Sequence, residues 1–240
     1  MLDKNSRIPL YSQLMDILID KMENGMEENE KISSEREICD IYDVSRTTVR
    51  QAISELEREG YIYRKRGKGT FVASKKLSQN LESFYSFTEE MKKLGKVPSS
   101  KVLKFEILIS NNDIIKKMKL NQGDLVYKFT RLRLADDEPM IIETTYVPYN
   151  MFPGITEQQL NITALYDIFK DSFNESVEYA EEAFLPVLAN EEEAKYINVE
   201  VGSPNLKITR YTFNKFNKII EYTVSRARGD RFKYQLKLLR

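Results

Sequence analysis

Apolar side chains in the first part of the chain recur at helical spacing. From Tyr11 to Met22 they stand three or four positions apart and form a single stripe, which is the period of an amphipathic helix. Pro9 precedes the stripe and suits the first turn of a helix, because proline has no N–H to leave unpaired. The pattern predicts a helix that starts at Pro9 and ends near Gly25.

Two shorter helices are predicted next, each with its own start signal. Ser34 and Glu37 have the spacing of a capping box, in which each side chain accepts the backbone N–H of the other residue. Ser45 is the candidate N-cap of the following helix, which ends at Gly60. The apolar positions of the two helices are Ile38, Ile41 and Tyr42 in the first and Val49, Ala52, Ile53 and Leu56 in the second. Two short helices joined by a brief turn at residues 43–44 form a helix-turn-helix.

Residues 61–72 change from helical spacing to the alternation of a β-hairpin. Residues 61–65 and 70–72 are the predicted strands, and the glycines of the segment 66–69 suit the turn between them. The hairpin carries four cations, Arg64, Lys65, Arg66 and Lys68. A purely structural hairpin has no need of this charge repulsion, whereas a wing that lies along DNA phosphates or in the minor groove requires cations.

The charges of this region are unevenly spread, although the whole chain has a net charge of zero from 37 basic and 37 acidic residues. Residues 1–43 hold 5 basic and 11 acidic residues, and residues 44–76 hold 9 basic and 3 acidic residues, so the net charge changes from −6 to +6. A cationic block beside an anionic one indicates a local docking surface. A solvated charged face is the alternative.

The polar side of the helix that begins after Ser45 suits DNA. Arg46 and Arg50 are four positions apart and therefore lie on one side, with Thr47 and Thr48 in the first turn. The arginine fork matches guanine O6 and N7 in the major groove, threonine can contact a base edge or a phosphate, and the free amides of a helix N-terminus attract phosphate. A helix with two surface arginines and no role in DNA binding is the alternative.

Five segments in this order resemble the winged helix-turn-helix domain of GntR-family regulators: Pro9-Leu10-Tyr11, Ser34-Glu35-Arg36-Glu37, Val44-Ser45-Arg46-Thr47-Thr48-Val49-Arg50-Gln51-Ala52, Leu56-Glu57-Arg58-Glu59-Gly60 and Gly67-Lys68-Gly69-Thr70-Phe71-Val72. The resemblance implies DNA contacts by Arg36, Arg46, Thr47 and Arg50, and a turn at Gly67 that enters the minor groove. With the residues argued above, the candidate DNA contacts are Arg36, Ser45, Arg46, Thr47, Thr48, Arg50, Arg66, Gly67, Lys68 and Gly69.

The polar segment 75–82 has no clear period and is predicted to be a linker. It would separate a DNA-binding domain, residues 1–74, from a second domain, residues 83–240, in which alternating strands dominate.

The second domain contains an internal duplication. One copy runs from Asn112 to Thr145 and the other from Asn190 to Thr223, and each has a helix, a glycine, a strand with an arginine, a hairpin and a strand with a glutamate. The glycine-to-arginine distance is 8 residues in both copies, and the arginine-to-glutamate distance is 12 in the first and 11 in the second. Two such units predict one antiparallel sheet with helices on a face, so the fold class is α+β.

One predicted strand of the first copy places aromatic and cationic side chains on the same face, namely Tyr127, Phe129, Arg131 and Arg133. Paired arginines beside aromatic rings suit a clamp for an anion, and salt bridges of these arginines to Glu143 or Glu221 are the alternative. Upstream, Ser86 and Glu89 form another helix start, whose free amides would suit a phosphate or a carboxylate. Together these features indicate a pocket for a small anionic molecule.

Five further segments resemble the UTRA effector domain of the HutC subfamily, whose fold is similar to chorismate lyase: Ser86-Phe87-Thr88-Glu89-Glu90-Met91, Arg131-x-Arg133, Pro139-Met140-x-Ile142-Glu143, Leu165-Tyr166-Asp167 and Arg228-Gly229-Asp230-Arg231. The resemblance implies a small anionic effector such as a phosphorylated sugar. The residues implied to bind it are Ser86, Phe87, Thr88, Arg131, Arg133, Glu143 and Tyr166. Two departures, Ala164 and Ala227 in place of a serine and a tyrosine, leave the identity of the effector open.

Composition limits the chemistry that the chain can perform. Histidine is absent, which excludes Ser-His-Asp and Cys-His catalysis and zinc sites that need histidine. The single cysteine, Cys39, can form neither an intramolecular disulfide nor a cysteine-rich metal site. We therefore expect no metal and no cofactor. Because no apolar run approaches ~20 residues and no signal peptide opens the chain, we expect a cytoplasmic protein without a membrane partner.

The combined expectation is a ligand-responsive transcriptional regulator of the repressor type. It would bind palindromic double-stranded operator DNA as a homodimer, with half-sites about 10 bp apart, and leave it when the effector binds. An enzyme of chorismate-lyase-like fold that acts on a small anionic substrate is the alternative, and its chemistry would depend on Glu143, Glu221 or a tyrosine. We expect no enzyme activity. A third interpretation makes the second domain a dimerisation module only.

Overall fold

The structure, a computed structural model, describes residues 2–4, 6–73, 77–80 and 84–235. It divides into two compact units, Met1–Lys76 and Leu77–Arg240. None of the helices in the described ranges is long and apolar enough to cross a membrane. In the same ranges, no cluster of His, Cys, Asp or Glu side chains could hold a metal ion.

The first unit contains three helices and a β-hairpin. Its elements are α1 (Leu10–Gly25), α2 (Glu35–Tyr42), α3 (Arg46–Glu59), β1 (Ile62–Lys65) and β2 (Gly69–Val72). The predicted helices and hairpin are confirmed, although Pro9 lies at the N-cap of α1 rather than in its first turn. The apolar stripes of α1 and α3 meet in the core, where Leu14, Val49 and Leu56 are fully buried.

The caps of α2 and α3 are those that the sequence predicts. The Ser34 side chain accepts the N–H of Glu37, and the Glu37 carboxylate accepts the N–H of Ser34 at 2.7 Å. Asp43 and Gly60 end the two helices in the left-handed conformation, with φ of 51° and 79°. These local signals fix the turn between the two helices and therefore the direction of α3.

The hairpin of β1 and β2 forms the wing. Its strands pair antiparallel and leave a turn at residues 66–68. Gly67 and Gly69 have φ of +73° and +120°, a region that favours glycine. A β-bridge between Lys31 and Phe71 adds the segment before α2 to this small sheet.

The second unit is built around a six-stranded sheet. Its elements are β3 (Leu77–Asn80), α4 (Phe87–Lys93), β4 (Pro98–Ile109), α5 (Asn112–Met118), β5 (Leu125–Ala135), β6 (Glu138–Pro148), α6 (Glu157–Ile162), α7 (Leu165–Phe173), β7 (Val177–Leu188), α8 (Glu191–Ile197), β8 (Pro204–Asn214), β9 (Ile219–Arg228) and β10 (Phe232–Gln235). The strand order in the sheet is β4-β5-β6-β9-β8-β7, and every neighbouring pair is antiparallel.

The sheet order shows the duplication directly, because the two repeats meet at β6 and β9 and mirror each other outward. The N–H of Ser110 donates to the carbonyl of Asp124, and the N–H of Ala189 donates to that of Ser203, both at 2.9 Å. Each repeat also has an edge strand, β4 or β7, which precedes the segment in which the duplication is recognised in the sequence. The helix of the first repeat is capped by Asn111, one residue before the predicted start.

Helices cover both faces of the sheet, not one face as the sequence predicts. On one face, α6 and α7 pack against Tyr127 and Phe129 of β5. On the other face, α5 packs against Val126 of β5 and Tyr222 of β9. Successive side chains of a strand point to opposite faces of the sheet, so β5 contributes to the cores on both faces.

The predicted linker, residues 75–82, contains a strand. Residues 77–80 form β3, which pairs in parallel with β10 at the other end of the second unit. This strand has no local sequence signal, because its pairing partner lies more than 150 positions away. Residues 75, 76, 81 and 82 lie outside the described residues, and the predicted domain limits 1–74 and 83–240 stay predictions.

Candidate functional site

The N-terminal end of α3 presents polar side chains to solvent. Ser45 accepts the N–H of Thr48 at 3.2 Å, and the hydroxyls of the two residues lie 2.9 Å apart. Arg46, Thr47 and Arg50 are exposed. Within the described part of the chain, neither arginine forms an ion pair, so both guanidinium groups keep their N–H donors for a partner outside the chain.

One of the four cations of the wing has a structural role. Arg64 Nε lies 3.1 Å from a carboxylate oxygen of Glu57, and Arg64 Nη2 lies 3.5 Å from one of Glu35. Arg64 therefore ties β1 to α3 and α2, and its contact with DNA stays a prediction. Arg66 and Lys68, at the turn of the wing, are exposed. Arg36 of α2 is exposed as well.

All seven candidate effector ligands line one cavity of the second unit, here called the arginine pocket. The pocket encloses about 700 Å³ of empty space, part of it open to solvent. Its walls come from the start of α4, the start of α7 and strands of both repeats. The seven residues brought together are Ser86, Phe87, Thr88, Arg131, Arg133, Glu143 and Tyr166.

Arg131 and Arg133 share one carboxylate in the pocket. Glu143 lies 2.6 Å from Arg131 Nη2 and 3.1 Å from Arg133 Nη1. The salt bridge that the sequence left as an alternative is thus present, but one carboxylate cannot neutralise two guanidinium groups. Arg131 Nε and Nη1 and Arg133 Nε are buried and have no hydrogen-bond partner, so the cluster of Arg131, Arg133 and Glu143 holds one positive charge in excess and three unpaired nitrogens. Over the whole pocket the charges balance, because Arg210, Glu182 and Glu221 line it as well.

The pKa values in this cluster agree with an excess of positive charge. Burial raises the pKa of Glu143, but Arg131 and Arg133 lower it by more, so the net shift is downward and the carboxyl is ionised. Burial lowers the pKa of Arg133, Glu143 raises it, and Arg131 lowers it again, with a net shift downward. A second anion near Arg133 would therefore be favourable.

The start of α4 is attached to Arg133. Ser86 caps this helix by accepting the N–H of Glu89 at 3.2 Å, as the sequence predicts. Arg133 Nη2 donates to the hydroxyl of Thr88 at 2.8 Å, and the guanidinium lies 4.9 Å from the ring centroid of Phe87. The same arginine thus contacts the pocket carboxylate and the turn that begins α4.

The other end of the pocket is built on hydroxyl groups around Glu221. The Glu221 carboxylate accepts the hydroxyls of Tyr166 and Thr212, both at 2.6 Å, and that of Thr223 at 2.7 Å. Burial and the nearby Glu221 carboxylate raise the pKa of Tyr166, so its phenol stays protonated as a donor. This end of the pocket is therefore rich in hydroxyl and carboxylate groups, in contrast to the arginine end.

Comparison with known proteins decides the family. Residues 93–233 match the UTRA domain, and residues 10–72 match the bacterial regulatory proteins of the gntR family. The chain belongs to the GntR family. The chain is 33% identical over 234 residues to the HTH-type transcriptional repressor NagR of Bacillus subtilis (strain 168), covering 97% of this chain and 96% of that protein.

Further relatives agree with this assignment. A probable fructoselysine utilization operon transcriptional repressor of Escherichia coli (strain K12) is 28% identical over 230 residues, 95% of this chain and 94% of that protein. The crystal structure of PhnF from Mycobacterium smegmatis aligns with a TM-score of 0.70 at 26% identity and covers 95% of this chain and 98% of that one. The predicted winged helix-turn-helix and UTRA domains, consistent with the HutC subfamily, are confirmed.

In this GntR-family regulator, the alanine at position 164, where the UTRA resemblance implies a serine, changes the start of α7. Ala164 is the N-cap of α7 and provides no side-chain hydrogen bond to the helix, and it lines the arginine pocket next to Tyr166. A serine at this position could have capped the helix or bonded a ligand. The pocket therefore has one hydroxyl less at the start of α7.

Tyr85, Glu182 and Arg210 are among the pocket residues that the sequence did not indicate as effector ligands. The duplication contained a signal for one of them, because Arg210 occupies the position in the second repeat that Arg131 occupies in the first. Tyr85 and Glu182 have no such signal, since they come from a turn and from an edge strand outside the repeated pattern.

Proposed function

We propose that this GntR-family regulator is a ligand-responsive repressor. It binds operator DNA through α3 and the wing, and a small anionic effector in the arginine pocket releases it. The observation that carries the proposal is the pair of buried guanidinium groups that share one carboxylate and keep three nitrogen atoms unpaired. Buried donors without partners are costly, and an anion would satisfy them.

The DNA-binding part of the proposal rests on α3. Its first turn joins exposed Arg46 and Thr47 with a helix N-terminus, and Arg50 follows one turn later on the same side. A homodimer would place two such helices in successive major grooves of a palindromic operator, about 10 bp apart. The exposed cations of the wing turn would contact phosphates or enter the minor groove.

The effector proposed for the arginine pocket is a phosphorylated sugar or a molecule of similar chemistry. A phosphate offers several acceptor oxygens to Arg131 and Arg133, and the opposite end of the pocket offers Glu221 and Tyr166 to hydroxyl groups. The name of one relative, a probable fructoselysine utilization operon transcriptional repressor, supports an effector derived from a sugar.

Release from DNA requires that the effector binds one state of the protein better than another. The effector can change operator affinity only by the ratio of its affinities for the DNA-binding state and the released state. No observation on the described residues favours the enzyme alternative, because Glu143 and Glu182 are paired with arginines and Glu221 accepts three hydroxyls.

A ligand screen tests the proposal. Phosphorylated sugars and small organic acids are added to the full chain, and a rise in the melting temperature identifies ligands of the folded state. Each hit is then titrated into the complex with operator DNA while fluorescence anisotropy follows release. A phosphorylated hit that releases the operator is the expected result. Hits that stabilise the protein and leave the DNA complex intact would contradict it.

A further inference from the structure

The duplication gives the pocket two equivalent arginines, Arg131 on β5 and Arg210 on β8. Arg131 lies directly opposite Glu143 of β6, and the two side chains form an ion pair. In the second repeat Arg210 lies opposite Thr223, two positions beyond Glu221, which is the counterpart of Glu143. This difference in register separates Arg210 from the glutamate of its own hairpin.

Arg210 finds its partners on the edge strand β7, on the turn that precedes α4, and on α7, where its Nη1 donates to the Tyr166 hydroxyl at 3.0 Å. Its Nε donates to Glu182 of β7 at 2.7 Å, and its Nη1 donates to the backbone carbonyl of Tyr85 at 3.1 Å. The Arg210 guanidinium also lies 4.5 Å from the ring centroid of Tyr85. Glu182 in turn accepts the Tyr85 hydroxyl at 2.6 Å. The Arg210–Glu182 pair therefore holds Tyr85 at its carbonyl, its ring and its hydroxyl.

The two equivalent arginines differ in whether their side-chain nitrogens have hydrogen-bond partners. Arg131 keeps two buried nitrogens without partners, whereas Arg210 is not among the described residues with an unpaired buried side-chain atom. Glu182 neutralises Arg210, so this side of the pocket has no excess positive charge. Burial raises the pKa of Tyr85, which keeps its phenol protonated as a donor to Glu182. Arg131 thus keeps unpaired nitrogens for an anion, whereas Arg210 is paired within the protein.

The turn of residues 84–88 is consequently attached to both repeats. Thr88 is bonded to Arg133 of the first repeat, and Tyr85 is bonded to Arg210 of the second. An anion that engages Arg133 competes for the same guanidinium that holds Thr88. The attachment of Tyr85 involves none of the free donors, so it persists whether or not an anion is present.

We propose that Arg210 and Glu182 are positioning residues of the arginine pocket: they hold Tyr85, and through it the turn that carries Ser86 and Thr88, without contacting the anion. The ligand class in this statement rests on the proposed function, whereas the attachment of the turn does not. Loss of the pair should weaken anion binding because the turn would sample other positions, at a cost in affinity for any ligand that needs Ser86 to Thr88 in place.

Three variants of the full chain test this inference against a matched control. Arg210→Lys removes the fork, Glu182→Gln removes the charge, and Tyr85→Phe removes only the hydroxyl bond and keeps the ring and the carbonyl contact. The control is Arg226→Lys, because Arg226 forms an ion pair of similar length, 2.8 Å to Glu193, elsewhere in the same unit. Hydrogen exchange of the peptide 84–91 reports the attachment, and calorimetry with inorganic phosphate and glucose 6-phosphate reports binding.

We expect exchange in residues 84–91 to become about tenfold faster in R210K and E182Q, and to rise less in Y85F, while residues 125–135 exchange as in the wild type. Phosphate and sugar phosphate affinity should fall by a similar factor in the first two variants and stay unchanged in R226K. Unchanged exchange in all three variants would overturn the attachment, and faster exchange with wild-type affinity would overturn the positioning role.

The two proposals fail separately. If the wild-type chain binds neither phosphate compound, the proposed anion site is wrong, and the exchange data alone decide whether Arg210 and Glu182 hold the turn. If R210K or E182Q does not fold, the other of these two variants decides together with Y85F, which leaves the Arg210–Glu182 ion pair intact. In that case, exchange equal to the wild type in both remaining variants would overturn the inference.

Discussion

Arg131 and Glu143 lie opposite each other on β5 and β6, and their charged groups meet at 2.6 Å with both side chains almost fully removed from water. Arg133, two residues further along the strand, forms an ion pair with the same carboxylate. A buried pair of this kind gives little net stability unless its remaining hydrogen-bonding groups are satisfied. Here three arginine nitrogens are not satisfied, and the proposed anion site rests on them.

Glu143→Gln is expected to destabilise the protein and to increase its response to phosphate. Removing one partner of a buried ion pair costs about 3–5 kcal/mol, because two guanidinium groups remain buried without a carboxylate. Added phosphate should restore the missing charge. Melting curves of both proteins should therefore show a lower melting temperature for E143Q and a larger rise with phosphate than in the wild type; an equal or smaller rise would contradict this reasoning.

Acid should remove the contribution of Glu143 to stability. The pKa of this carboxyl is lower in the folded chain than its ordinary value of about 4.3–4.5. The stabilising contribution is therefore fully present above that value and is lost as the pH falls through the lower, folded pKa. Urea unfolding between pH 7 and pH 3 should show a steeper loss of stability in the wild type than in E143Q, and parallel curves would exclude the carboxylate as the cause.

Arg50→Ala and Arg46→Ala are each expected to weaken operator binding by about 1–3 kcal/mol and to relax the preference at one base position. Arg58→Ala is the matched control, because Arg58 lies near the far end of the same helix and pairs with Glu55. Anisotropy titrations with operators changed at single positions measure both effects. An unchanged preference in R50A and R46A would show that α3 does not contact bases.

Two wing cations should behave differently. Lys68→Ala is expected to weaken binding to all sequences alike and to reduce the dependence of affinity on salt by about one counterion. Arg64→Ala should mainly lower the melting temperature, because Arg64 joins the wing to Glu57 and Glu35. Affinity measured over a range of salt concentrations separates the two, and the same salt slope for K68A and the wild type would remove Lys68 from the interface.

The helix-turn-helix could be predicted from the sequence because its signals are local. Ser34 with Glu37 and Ser45 with Gly60 mark helix ends within a few residues of one another. The face of β5 that carries the arginines could also be predicted, because alternation alone places Arg131 and Arg133 on the same side of the strand.

The rest of the pocket depends on pairing between distant segments. Tyr85, Glu182 and Arg210 meet only because β7 pairs with β8 in one register and the turn before α4 reaches them. No spacing along the chain specifies that register. The same holds for β3, whose partner β10 lies near the other end of the sequence.

Operator release by a phosphorylated hit, compared between the wild type and Arg131→Ala, tests the central claim most directly. Wild-type affinity of R131A for the operator without effector, together with a cooperative melting transition of its second unit, would show that the variant is folded. Arg226→Ala serves as a second control. We expect the effector to release the wild type and R226A at the same concentration and to leave R131A bound. Release of R131A at the wild-type concentration would contradict the claim that an anion acts through the arginine pocket.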